Sequence, residues 1–162
     1  MRIPLLDLKA QYECIRDEVD AALDRVMSTQ HFILGEEVSS LEREIADYSG
    51  SAHGIGCASG SDALLLSLLA LDVGPGDEVI CPTYTFFATA GAISRLGAIP
   101  VFVDIDPTTY NLDLDSLREQ ARGCRRLRAL IPVHLFGQAS DLEGVYEVAE
   151  ECGVPVIEDA AQ

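Results

Sequence analysis

The stretch Val154-Pro155-Val156-Ile157-Glu158-Asp159-Ala160-Ala161-Gln162 decides how this chain is read. Residues 154–157 carry no charge and three β-branched side chains, the composition of a strand buried in a parallel sheet. The strand delivers a carboxylate, Asp159, to the point where it opens into a loop. In open α/β sheets that carboxyl edge is where ligands sit. Asp159 is therefore either part of a site or a cap for the next turn, and the sequence upstream bears on the choice.

Upstream, short apolar runs alternate with helical patterns. Residues 55–58, 78–81, 99–103, 129–133 and 154–157 read as strands, and 61–71, 85–96, 114–122 and 142–152 as helices. The punctuation agrees: Gly74-Pro75-Gly76-Asp77 is a turn, Gly97 follows a helix, Asp106-Pro107 breaks the chain, and Asp141 can cap a helix. Strands separated by helices predict an α/β fold with a mostly parallel sheet covered by helices. Ahead of it lie two amphipathic helices. One spans 11–27 with a stripe of Tyr12, Ile15, Val19, Leu23 and Val26; the next turns Val38, Leu41, Ile45 and Tyr48 inward and stops at Gly50. Residues 1–52 are expected to form a helical arm packed on a domain spanning 53–162.

Composition narrows the function. At 162 residues the chain suffices for one domain with its own core. A formal charge of −16 opposes nucleic-acid binding, since phosphates would be repelled. No apolar run reaches the length of about 18 residues that spans a membrane. The opening Met1-Arg2-Ile3-Pro4-Leu5-Leu6-Asp7 lacks the apolar core of a signal peptide, so the cytoplasm is the expected compartment. Five cysteines without C-x-x-C spacing fit reduced core thiols, and His31, His53 and His134 lack the spacing of a zinc site. Asp104, Asp106, Asp113 and Asp115 span the length of an EF-hand loop but lack its glycine and final glutamate, which argues against calcium. No metal is expected.

Four stretches carry possible chemistry. Ala58-Ser59-Gly60-Ser61-Asp62 is a glycine turn entering a helix, whose free N–H groups and dipole attract phosphate; the alternative is an ordinary N-cap made by Ser59, Ser61 or Asp62. The overlapping Gly54-Ile55-Gly56-Cys57-Ala58-Ser59 mimics a dinucleotide fingerprint, but its glycines fall inside the strand and no strand precedes them. Phe86 and Phe87 follow a strand end, where one ring can stack on a planar ligand while the other packs inward, or both can pack in the core. His134 is either an acid–base group or a hydrogen-bonded structural histidine. Asp159 facing a ring nitrogen would keep that nitrogen protonated, because a nearby opposite charge favours the charged form. A phosphate seat, an aromatic face and a carboxylate are the three handles of pyridoxal phosphate.

Several segments closely resemble the DegT/DnrJ/EryC1/StrS aminotransferases: Phe32-Ile33-Leu34-Gly35, Ser59-Gly60-Ser61-Asp62-Ala63-Leu64, Gly76-Asp77-Glu78-Val79-Ile80, Thr85-Phe86-Phe87-Ala88-Thr89-Ala90, Gly97-Ala98-Ile99-Pro100-Val101-Phe102-Val103-Asp104 and Glu158-Asp159-Ala160-Ala161-Gln162. The resemblance implies the N-terminal arm and most of the large domain of a fold type I, pyridoxal-phosphate-dependent enzyme. Such enzymes aminate nucleotide-linked keto-sugars, usually from glutamate, for amino-sugar, cell-surface polysaccharide or antibiotic sugar synthesis. It implies that Gly60, Ser61 and Asp62 border the phosphate and Phe86 stacks on the ring. Asp159 would pair with the pyridine nitrogen and Gln162 would reach the 3-oxygen. It also implies a homodimer with the active site between subunits. In the family the Schiff-base lysine lies downstream of the Asp-Ala-Ala-Gln segment, and the one lysine here is Lys9. The expectation is an N-terminal portion that precedes the last two strands and the small domain and has no turnover by itself. The alternatives are a non-catalytic subunit that pairs with a full-length relative and a gene remnant without function. Residues 55–58 are expected to lack sheet neighbours on one side.

Overall fold

A computed structural model describes residues 5–162, so the expectation drawn from Met1 to Pro4 lies outside the described residues. The chain divides into two compact units, Met1–Gly56 and Cys57–Gln162. The first contains helices α1 (Leu8–Thr29) and α2 (Glu36–Ser49). Asp7 caps α1 by accepting the amide of Ala10 at 3.1 Å, and Gly50 ends α2 in the left-handed conformation at φ 67°. Arg25 pairs with Glu37 at 2.7 Å. The apolar stripes do not turn inward as expected. Helix α1 has no buried residue, α2 buries only Ala46, and Leu41, Ile45 and Tyr48 are exposed, Tyr48 by 92%. Two helices offer too little apolar surface to enclose either stripe.

The second unit is a layered α/β structure. Strand β1 (Glu78–Pro82) lies between β2 (Ile99–Val103) and β3 (Leu127–Leu130), and both pairings are parallel. Residue Ile80 sits opposite Val101 on one side and Leu130 on the other. Because side chains alternate across a strand, β1 and β3 each feed two cores. Val79, Cys81, Ala129 and Ile131 pack with Leu64 and Leu68 of α3 (Gly60–Ala70) and Ala92 and Ile93 of α4 (Ala88–Arg95). On the other face Ile80, Val103 and Leu130 pack with Leu117 of α5 (Leu114–Gly123) and Val145 and Val148 of α6 (Leu142–Cys152). Pro100 is tolerated because β2 is an edge strand. Of the five thiols only Cys81 is buried, and burial pushes it up to about 12; Cys14, Cys57 and Cys152 are exposed, which corrects the expectation of core thiols.

Two expected strands differ. Residues 55–58 form no strand: Ile55 is 84% exposed, and the Gly56 amide donates to Glu42 Oε1 at 2.7 Å instead of to a ladder. One glycine and a single large apolar side chain, Ile55, give this run little to hold it extended without a paired neighbour. Residues 154–159 do run parallel beside β3, but only as single bridges, Leu130 to Val156 and Val133 to Asp159. Pro132 and Pro155 lack the N–H groups that a continuous ladder needs.

The turn into β1 is built on a buried charge. Asp77 accepts the Gly74 amide at 3.0 Å and pairs with Arg126 at 2.8 Å. Mainly through the Gly74 bond, its carboxyl is held below the usual range. A lowered folded-state value means the stabilisation is full above the unfolded value of about 3.9 and is lost as pH falls through the folded one. Asp77→Asn is expected to lower the melting temperature at neutral pH, with the gap to the parent closing on acidification; a gap independent of pH would exclude the charge as the cause. Leu68 is fully buried against the sheet. Leu68→Ala should cost about 2–5 kcal/mol in a denaturant titration.

Candidate functional site

Three chain segments meet at the carboxyl edge of the sheet and enclose a cleft of about 260 Å³. Ser59, Gly60 and Ser61 come from the start of α3, Thr85, Phe86 and Ala88 from the start of α4, and Asp159, Ala161 and Gln162 from the segment beside β3. Val133 and Leu135 complete the floor.

The α3 corner exposes the start of a helix. Ser59 is the N-cap: its hydroxyl oxygen accepts the Asp62 amide at 3.2 Å, and its carbonyl accepts that of Ala63 at 2.9 Å. The amides of Gly60 and Ser61 donate to no acceptor among the described residues, and a Cβ at Gly60 would meet nothing within 4 Å. The corner thus offers free donors, the positive end of a helix dipole and open space. Asp62 is not part of the lining. Its carboxylate lies 4.0 Å from Arg95, whose charge draws it away. The resemblance set Asp62 beside a phosphate; its carboxylate faces Arg95 here.

At the α4 corner both aromatic rings stand out of the core, Phe86 74% exposed and Phe87 80%. The expectation that one of them packs inward is not met. The helix starts directly after them, and its core positions go to the smaller Thr89, Ala92 and Ile93. Phe86 lines the cleft.

Asp159 is clamped by main chain and side chain alike. Its amide donates to the Pro132 carbonyl at 3.0 Å, and its carbonyl accepts the His134 amide at 3.0 Å. One carboxylate oxygen accepts the Ala161 amide at 3.3 Å, the local turn foreseen as the bland alternative. The other accepts from the hydroxyl of Thr89 at 3.0 Å. Gln162 turns its side-chain oxygen to the Phe136 amide and closes the cleft's rim.

His134 is held as a structural residue. Its Nδ1 accepts the Ser140 amide at 3.1 Å, and its Nε2 lies 3.3 Å from Glu158. With Nδ1 occupied as an acceptor, the proton of the neutral ring sits on Nε2 and faces Glu158. The Tyr146 hydroxyl donates to Glu158 at 2.6 Å, which holds that carboxyl below its usual range and raises the phenol. Sequence reasoning missed two buried residues, Thr89 and Asn111. Asn111 donates to the Gln138 and Ala139 carbonyls at 3.1 Å each and accepts the Leu135 amide at 3.2 Å. It so fixes a loop in which Phe136 adopts φ 56°. Tyr84 lies 6.1 Å from Tyr110 and 6.4 Å from Phe136, ring centre to ring centre. The signal for Asn111 was masked by the acidic loop around it. Thr89 was legible only as a hydroxyl among the apolar residues of α4.

The model of the DegT/DnrJ/EryC1/StrS aminotransferase family matches residues 13–162. The chain is 52% identical over its whole length to a pleiotropic regulatory protein of Geobacillus stearothermophilus, of which it covers 43%. It is 49% identical over 99% of its length to the UDP-2-acetamido-2-deoxy-3-oxo-D-glucuronate aminotransferase of Pseudomonas aeruginosa, covering 44% of that protein. Among solved structures, DesV of S. venezuelae superposes with a TM-score of 0.95 at 43% identity, over 99% of this chain and 43% of DesV. The chain thus spans less than half the length of the relatives it matches. From the Ser59-Gly60-Ser61 turn to the Asp-Ala-Ala-Gln segment, sequence and architecture agree that this chain belongs to the DegT/DnrJ/EryC1/StrS aminotransferase family.

Proposed function

We propose that residues 57–162 form the cofactor-holding part of a pyridoxal-phosphate-dependent aminotransferase acting on nucleotide-linked keto-sugars with glutamate as donor. The observation that carries this reading is the convergence of Gly60, Ser61, Phe86, Asp159 and Gln162 on one cleft. The residues fit the group. Open space and free amides at the start of α3 suit its phosphate, the exposed Phe86 ring suits its flat face, and the clamped carboxylate of Asp159 suits a protonated ring nitrogen. Gln162 lines the same cleft, and in this reading its side-chain amide would bond to a ring oxygen. Bound there, the cofactor would supply the electron sink for transferring an amino group.

The chain's own residues would bind and orient. The amides at the start of α3 anchor the phosphate, Phe86 covers one face against water, and Asp159 holds a proton on the ring nitrogen. Lys9, in the first turn of α1, is assigned no part in this binding. The substrate class follows from relatives named for UDP-, dTDP- and GDP-linked sugars, and the kind of sugar is left open by their variety. The exposed apolar side chains of α1 and α2, Leu23, Leu41, Ile45 and Tyr48, support association with a second subunit, whether a copy of this chain or a full-length relative.

Equilibrium dialysis of pyridoxal phosphate against the polypeptide that carries these residues is the test. Asp159→Ala is expected to weaken binding by about tenfold or more, the scale of one lost charge-assisted hydrogen bond. Undiminished affinity would remove Asp159 as the partner of the ring nitrogen.

A further inference from the structure

Thr89 is fully buried in the first turn of α4, between core residues Ala92 and Ile93 and the cleft. A valine would fill the same volume without a polar group to satisfy, so the fold alone gives no reason for a hydroxyl at this point. Its Oγ1 lies 3.0 Å from Asp159 Oδ2 and 3.1 Å from the Oγ1 of the half-buried Thr85, which lines the cleft.

The proton order along this chain is fixed by chemistry. An ionised carboxylate only accepts, so the single hydroxyl proton of Thr89 goes to Asp159. The Thr89 oxygen is then left as an acceptor, and the Thr85 hydroxyl donates to it. Two hydroxyls thus point their dipoles one after the other at a single carboxylate oxygen, and each polarises the next. The other oxygen takes the Ala161 amide. The carboxylate plane is set from two sides by groups on elements far apart in sequence.

We propose that Thr89, backed by Thr85, is a positioning residue: it fixes the rotation of the Asp159 carboxylate so that its remaining lone pairs face the cleft. This rests on the reading of Asp159 as the partner of a cofactor ring nitrogen. Thr89 itself touches neither cofactor nor substrate in that reading. Its effect is transmitted through the carboxylate.

The test compares Thr89→Val and Thr89→Ser with the parent, using pyridoxal phosphate and its 1-deaza analogue, in which carbon replaces the ring nitrogen. Thr89→Val should weaken pyridoxal phosphate binding by about tenfold, the scale of one hydrogen bond to a charged group, and leave the deaza analogue unchanged. Thr89→Ser should restore the parent's affinity. In an Asp159→Ala background, Thr89→Val should have no further effect. Equal weakening toward both ligands would reduce Thr89 to a structural role and overturn the proposal. A parent that binds both ligands equally would instead refute Asp159 as the nitrogen's partner. A ligand-free measurement separates the two failures: the carboxyl carbon resonance of Asp159 should move in Thr89→Val and return in Thr89→Ser. An unmoved resonance overturns the positioning role whatever the cofactor does.

Discussion

Everything at the cleft depends on how residues 155–159 are laid against the strand end at 130–134. Four main-chain hydrogen bonds do it: Leu130 to Pro155, Ile157 to Leu130, Asp159 to Pro132, and His134 to Asp159. Each segment donates two of them, with a gap where Pro132 has no N–H to give, and they bring the backbone of Asp159 level with Val133. The flanking side chains Glu158, His134 and Tyr146 tie the same two segments together from outside the cleft. A shift of one residue in this register would send the Asp159 side chain to the opposite face of the sheet. The geometry of the site is thus a statement about strand register before it is one about side chains.

The layered core follows from the same alternation. Ile80 faces one helical layer, and Val79 and Cys81 the other. This is why the β1 stretch reads as an unbroken apolar run, while α5 and α6 keep charged faces that pair at their surface through Arg118 and Glu147, 3.5 Å apart. Acidic residues outnumber basic ones on α6 and on the two N-terminal helices, whereas on α5 they balance.

Much of this was legible in the sequence. The helix 142–152 is found with both its ends, because Asp141 and Gly153 punctuate it, and the three strands of the sheet are found within three residues. Where the expectation failed, the cause was a missing partner. Residues 55–58 carry strand composition but no ladder, and the stripes of α1 and α2 carry core composition but no cover, because periodicity records what a segment is suited to touch and not whether the neighbour is there. At the cleft, the residues named from motifs were found around one space except Asp62. The side chain of Asp62 answers to Arg95, a partner that no local pattern announces. Thr89 and Asn111 were missed for a related reason: their roles are hydrogen bonds across 70 and 24 or more positions, which leave no mark in a local reading.

Phe136 and Tyr110 hold left-handed backbone conformations, φ 56° and 61°, that glycine or asparagine would occupy at less cost. Evolutionary drift at both positions therefore runs downhill in conformational energy toward residues that lack an aromatic ring. Retaining a ring at either place means resisting that slope. These two positions are consequently places where a side chain's shape and the stability of the backbone pull in opposite directions, and where a stabilised variant and a competent one need not be the same molecule.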